Sequence, residues 1–175
     1  MMDKLSNLHL LQPRGSFIRL MWFVIGSLCA CCLLLTATPT TGILFNNVSI
    51  ARVVTNCIRE SARARHWRTH LEVDGATDFV QQDVSVAAGG SSGWHSHPGP
   101  VLITVKSGTA TWYNANDPDC NAMIYPPGSA FVEPANVSHY VGNNGQSDLE
   151  LINTYIIPHG APPRQEQPQP GHCPF

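Results

Sequence analysis

The sequence predicts an all-β fold, a single antiparallel barrel, on three observations. Beyond residue 69, runs of β-branched and aromatic residues recur at roughly ten-residue spacing, separated by turn-forming clusters. Charged residues make up only 13% of the 175, while Gly and Pro number 14 each, a balance that suits a turn-rich β protein rather than a helical bundle. No heptad run, nucleophile elbow or phosphate-cradling loop interrupts the pattern, so coiled coils, triad hydrolases and nucleotide binding have no support.

The strands follow in order. Asp78 to Val86 (DFVQQDVSV) alternates as a half-buried strand should, and period two allows only one of Gln81 and Gln82 to face inward. Ala87 to Gly93 (AAGGSSG) reads as a turn-rich break. Val101 to Val105 and Thr109 to Tyr113 flank Lys106-Ser107-Gly108, a length suited to a tight hairpin. Ala122 to Tyr125, Ala130 to Glu133, Ser138 to Gly142 and Leu149 to Ile157 complete the set, with Pro126-Pro127-Gly128 and Asn143-Asn144-Gly145 as turns. An antiparallel jelly roll accounts for this order, with the barrel assigned to residues 69–157.

Three further segments surround it. Residues 1–42 hold an apolar run, Leu20 to Leu35, without a charge and preceded by Lys4, Arg14 and Arg19, the pattern of a signal peptide or signal anchor that sends the remainder across a membrane. Thr36 and Thr38 resemble a cleavage site, although Pro39 follows directly. The expected location is therefore secreted or membrane-anchored, on the non-cytoplasmic side. Residues 43–68 read as an irregular linker with room for a short helical turn or two. Residues 158–175 (PHGAPPRQEQPQPGHCPF) are too proline-rich for ladder pairing and are expected to lie extended over the barrel.

An oxidising compartment makes a disulfide the natural reading of the cysteines outside the apolar run, Cys57, Cys120 and Cys173. Cys120 sits in a polar loop and Cys173 ends a tail that needs fastening, so Cys120–Cys173 is the expected pair. Two glycosylation acceptor patterns start at Asn47 and Asn136; a glycan on the second would obstruct the site described next.

From Ile43 onward there are 7 Lys and Arg against 11 Asp and Glu, which excludes a basic nucleic-acid binder. The basic residues cluster at Arg52, Arg59, Arg63, Arg65 and Arg68, expected as a solvated stretch.

The chemistry lies in His95-Ser96-His97. Two imidazoles at period two share one face of a strand, where they can grip one metal ion. Gly89, His95, His97 and Gly108, followed by Gly128, Pro134, His139 and Asn143, resemble the two motifs of the cupin family, G-x5-H-x-H-x3-4-E-x6-G and G-x5-P-x-G-x2-H-x3-N. The run HSHPGP from His95 to Pro100 is similar to that of single-domain cupins. Two positions depart from the pattern. The family's glutamate falls on Val101, which cannot ligate, and its middle glycine falls on Asn136, a residue that tolerates a left-handed turn.

The resemblance implies that His95, His97 and His139 hold a divalent transition metal, with Fe(II) favoured and Zn, Mn, Ni or Cu as alternatives. Without the glutamate the centre resembles the three-histidine cupins, thiol dioxygenases among them. Glu133 is the candidate replacement ligand. Gln81, Gln82, Val101, Tyr113, Tyr125, Tyr140 and Asn143 are candidate pocket residues. The implied function is an exported metal-binding protein with oxygenase chemistry on a small molecule. A non-catalytic sensing module and a metal-independent sugar isomerase or epimerase are the alternatives. Cupin barrels also imply a homodimer through an edge strand or sheet face. His9, His66, His70, His159 and His172 lie outside the motifs and receive no role.

Overall fold

The computed structural model describes residues 40–53 and 57–175. The apolar run from Leu20 to Leu35, with its signal or anchor reading, lies outside them.

Twelve strands account for the described chain: β1 (Thr41–Val53), β2 (Cys57–Ala64), β3 (Trp67–Asp74), β4 (Thr77–Ser91), β5 (His95–Ser96), β6 (Val101–Ser107), β7 (Ala110–Asn114), β8 (Met123–Tyr125), β9 (Ala130–Glu133), β10 (His139–Gly142), β11 (Leu149–Pro158) and β12 (Gln165–Glu166). All pairings are antiparallel. Ten strands form a nearly closed jelly roll whose faces run β1-β4-β11-β6-β9 and β12-β5-β10-β7-β8, joined where Ser91 of β4 meets Gly142 of β10. The remaining two, β2 and β3, form a separate exposed hairpin.

Alternation fills the interior. Val80, Val84 and Val86 on β4, Val101, Ile103 and Val105 on β6, and Leu149, Leu151, Tyr155 and Ile157 on β11 are buried, each two residues from the next inward position or a multiple of two. Apolar burial of this kind contributes roughly 1.5–3 kcal/mol per large side chain, and the β4–β11–β6 layer supplies most of it.

Four expectations from the sequence need correction. The tail at residues 158–175 does enter a ladder, because Arg164 to Gln167 holds no proline and Gln165 and Glu166 pair with β5 as β12. Residues 43–68 are mostly strand: β1 pairs along the whole of β4, and β2 pairs with β3. The pairing of β1 is interrupted by a bulge between Asn46 and Ser49, where three steps along β1 match two along β4, so no unbroken period of two runs through it. The break at residues 87–93 is shorter than expected, because β4 continues to Ser91 through irregular pairing near Gly89 and Gly90. Finally, β6 and β7 are not a hairpin. β6 pairs with β11 and β9, β7 with β10 and β8, so Ser107 to Thr109 crosses from one face of the barrel to the other.

Candidate metal centre

The barrel brings four side chains together. His95 on β5 and His139 on β10 are direct cross-strand partners, His97 leaves the end of β5, and Glu133 ends β9 on the opposite face. Their ligating atoms all lie within 4.8 Å of one another. Relative exposures are 4% for His95, 2% for His97, 0% for His139 and 1% for Glu133, so water does not solvate the group.

The loops are shaped to allow this. A Cβ at Gly99 would fall 1.9 Å from the carbonyl oxygen of Ile156, so only glycine lets the HPGP turn lie against β11. Asn136, in the place of the family's glycine, adopts φ of 59° and donates its backbone N–H to the His97 carbonyl at 2.8 Å. The turn before His139 is thus tied to the turn after His97.

Glu133 resolves the departure at Val101. Val101 is fully buried in the core, and its cross-strand partner is Glu133. The carboxylate therefore comes from the neighbouring strand, one ladder rung across from the family's position. Glu133 Oε2 lies 3.0 Å from His97 Nε2 and 3.2 Å from His139 Nε2, while Oε1 has no hydrogen-bond partner.

Backbone carbonyls fix the protons on the imidazoles. His95 Nδ1 faces the Gly93 carbonyl at 3.0 Å, His97 Nδ1 the Pro163 carbonyl at 2.6 Å and His139 Nδ1 the Val137 carbonyl at 2.8 Å. A carbonyl only accepts, so each Nδ1 carries the hydrogen and each neutral ring turns its Nε2 lone pair toward the centre. Three lone pairs and a carboxylate then face one another in a dry space. A proton on one Nε2 relieves only part of that repulsion, whereas a cation satisfies all four donors.

The ionisation of His95 agrees with this. Burial, reinforced by the neighbouring His139, holds His95 well below the usual histidine range. Burial pushes the Glu133 carboxyl upward, whereas a proton on His139 or His97 would add the charge and hydrogen bonds that hold it below its ordinary range.

A cavity of about 240 Å³ opens beside the cluster, lined on the polar side by Gln82, Asn153, Tyr155 and Arg164 and on the apolar side chiefly by Val84, Ile103 and Leu151. Tyr155 donates to Gln82 Oε1 at 3.1 Å and accepts from Asn153 Nδ2 at 3.2 Å. Burial pushes the Tyr155 phenol up to about 12, so it remains protonated. Asn153 Oδ1 is buried without a partner.

Of the pocket residues expected from the sequence, Gln82 alone lines this cavity. Gln81 is exposed on the other side of β4, as period two requires. Val101 is core. Tyr113 and Tyr140 pack outside the cavity with Phe175, at ring separations of 4.5 and 5.1 Å, and Tyr125 stacks on Phe131 at 4.1 Å. Asn143 is structural: its amide donates to the carbonyls of Val86 and Ser147, and its Oδ1 accepts from Gly145 N–H. The sequence reading missed Asn153, Tyr155, Pro163 and Arg164. Asn153 was signalled, since it occupies an inward position of an otherwise apolar alternation. The expected Cys120–Cys173 disulfide is present.

A jelly roll with a buried histidine–carboxylate cluster between its faces is the class that these features define. Residues 82–155 match the cupin domain family model, so this part of the chain is a cupin domain. No curated protein matches the chain. Among solved structures, a conserved protein with a double-stranded β-helix domain from Klebsiella pneumoniae is similar at 17% identity and a TM-score of 0.45, over 65% of this chain and 86% of that one. The polyketide cyclase RemF from Streptomyces resistomycificus is 19% identical with a TM-score of 0.44, over 50% of this chain and 59% of its own. An oxalate decarboxylase from Lactobacillus farciminis is 20% identical with a TM-score of 0.45, over 50% of this chain and only 26% of the enzyme. These likenesses concern the fold.

Proposed function

We propose that the protein is a mononuclear metal cupin in which His95, His97, Glu133 and His139 hold one divalent transition ion and a small molecule docks beside it in the cavity. The observation that carries this reading is the convergence of four buried acceptors with their imidazole tautomers already set. Three imidazole nitrogens and one carboxylate oxygen suit Fe(II), with Mn, Zn, Ni or Cu as alternatives. Glu133 changes the expected three-histidine centre of charge +2 into one of charge +1. Such an ion, when bound, supplies Lewis acidity or redox chemistry to a small molecule at its remaining coordination positions.

The protein's own residues would do the rest. Backbone carbonyls hold the three rings in orientation, the Val84, Ile103 and Leu151 wall excludes water, and Asn153 Oδ1 accepts a hydrogen bond from a bound molecule. Oxygenase activity is the proposed reaction. The disulfide and the apolar segment at Leu20–Leu35 support a location beyond a membrane. The test is oxygen uptake by iron-loaded protein across a panel of small organic molecules. Uptake that disappears in His139→Ala supports the oxygenase; its absence across the panel, with intact iron loading, contradicts it.

A second reading, capture of a small ligand without turnover, is favoured by one observation. Apart from the metal cluster, Tyr155 and Arg164 are the titratable groups lining the cavity, and the Tyr155 phenol stays protonated. Saturable ligand binding without product distinguishes it.

A further inference from the structure

His95 and His139 take their Nδ1 acceptors from carbonyls two residues earlier in the chain, Gly93 and Val137. His97 does not. Its acceptor is Pro163, 66 residues away in the proline-rich tail. The tail is more than a covering. Its β12 pairs with β5, placing Gln165 opposite Ser96 and Glu166 opposite His95. Gln167 continues the contact, its backbone N–H donating to the Trp94 carbonyl at 3.0 Å and its amide to Ser96 Oγ at 2.9 Å. Arg164 binds the Ser92 carbonyl and the Glu166 carboxylate.

Two fastenings hold this segment in place. Cys173 is buried and bonded to Cys120, and Phe175 packs against Trp94, Tyr113 and Tyr140 while its main-chain oxygen accepts from Trp94 Nε1 at 2.8 Å. Without the tail, β5 would keep only its partner β10, and His97 Nδ1 would lose its acceptor. A two-residue strand with one neighbour has little of its own to fix a ring in one orientation.

We propose that the C-terminal tail is a positioning element of the metal site: the Pro163 carbonyl sets the tautomer and orientation of His97, and the Cys120–Cys173 disulfide keeps that carbonyl in place. The consequence for metal affinity rests on the metal reading above; the consequence for the His97 tautomer does not. Acceptors behind ligating histidines typically account for roughly 10–100-fold in metal affinity, and the tail is expected to supply an effect in that range.

The test compares full-length wild type with a Cys120→Ser/Cys173→Ser variant and with Arg164→Ala, which keeps the disulfide. Imidazole hydrogen–nitrogen NMR of the metal-free proteins at mildly alkaline pH reads each tautomer, and competitive titration with Co(II) reads affinity. The expected result is that His97 alone loses its single Nδ1–H tautomer in both variants, while His95 and His139 keep theirs, with Co(II) bound at least about tenfold more weakly. Retained His95 and His139 signals exclude global unfolding, and Arg164→Ala decides the matter if the cysteine variant does not fold. An unchanged His97 signal in a folded variant overturns the proposal. Wild type that binds no Co(II) but shows the His97 change refutes the metal reading and leaves the tail's role standing.

Discussion

Substitution of Glu133 by glutamine separates the two states of the site, because its effect changes sign with metal. Without metal, the carboxylate is a buried charge whose Oε1 has no partner and whose Oε2 faces two imidazole nitrogens. Removing such a charge from a dry site is neutral or stabilising, since desolvation of an ion costs several kcal/mol. With metal, the same change removes the only anionic ligand, for which a loss of about 100-fold in affinity, close to 3 kcal/mol, is a conservative expectation. At a metal concentration of about 100 times the wild-type Kd, binding stabilises the wild type by about 2.7 kcal/mol but a variant weakened 100-fold by only about 0.4 kcal/mol. In a domain of this size the difference is a melting shift of roughly 5–12 °C. Thermal denaturation with and without metal, after chelator treatment, measures both arms. A Glu133→Gln protein that melts several degrees below wild type without metal, yet gains as much from metal as wild type does, would refute the reasoning.

Val101→Glu places a second carboxylate in the core opposite Glu133 and is expected to cost about 3 kcal/mol or more, whereas the exchange Val101→Glu/Glu133→Val returns one carboxylate to the cluster and restores metal binding; melts and metal titration check both. Metal affinity is expected to fall as the pH drops, because an imidazole must be neutral to ligate; chelator competition between about pH 7.5 and 5.5 measures it. Asn143→Ala leaves the Val86 and Ser147 carbonyls without their donor and should cost about 2–4 kcal/mol while metal content is unchanged, which denaturant unfolding and metal analysis together test.

What the sequence made visible was what local spacing determines. His95 and His97 share a face because of period two, His139 follows from its motif frame, and Cys120–Cys173 follows from a loop cysteine and a tail in need of an anchor. Glu133 appeared only as a candidate, because its place in the site depends on the β6–β9 register that sets it opposite Val101, a non-local fact. Pro163 acts through its carbonyl, which every residue has, so no side-chain signal could mark it. The strand β1 was hidden by a bulge that breaks its register, and the β2–β3 hairpin by its exposure, which leaves no apolar face to read. The aromatic pocket candidates failed for a related reason: Tyr113, Tyr125 and Tyr140 are near the motifs along the chain but outside the cavity, and proximity in sequence does not fix which side of a strand faces in.

The central claim is that His95, His97, Glu133 and His139 hold one metal ion, and the most direct test is elemental analysis of purified wild type beside His97→Ala and His139→Ala after equal exposure to Fe(II), Mn(II), Zn(II), Ni(II) and Cu(II). The account predicts close to one tightly held equivalent per wild-type chain and little in either folded variant. Wild-type protein that emerges folded, disulfide-bonded and metal-free from every exposure would contradict it.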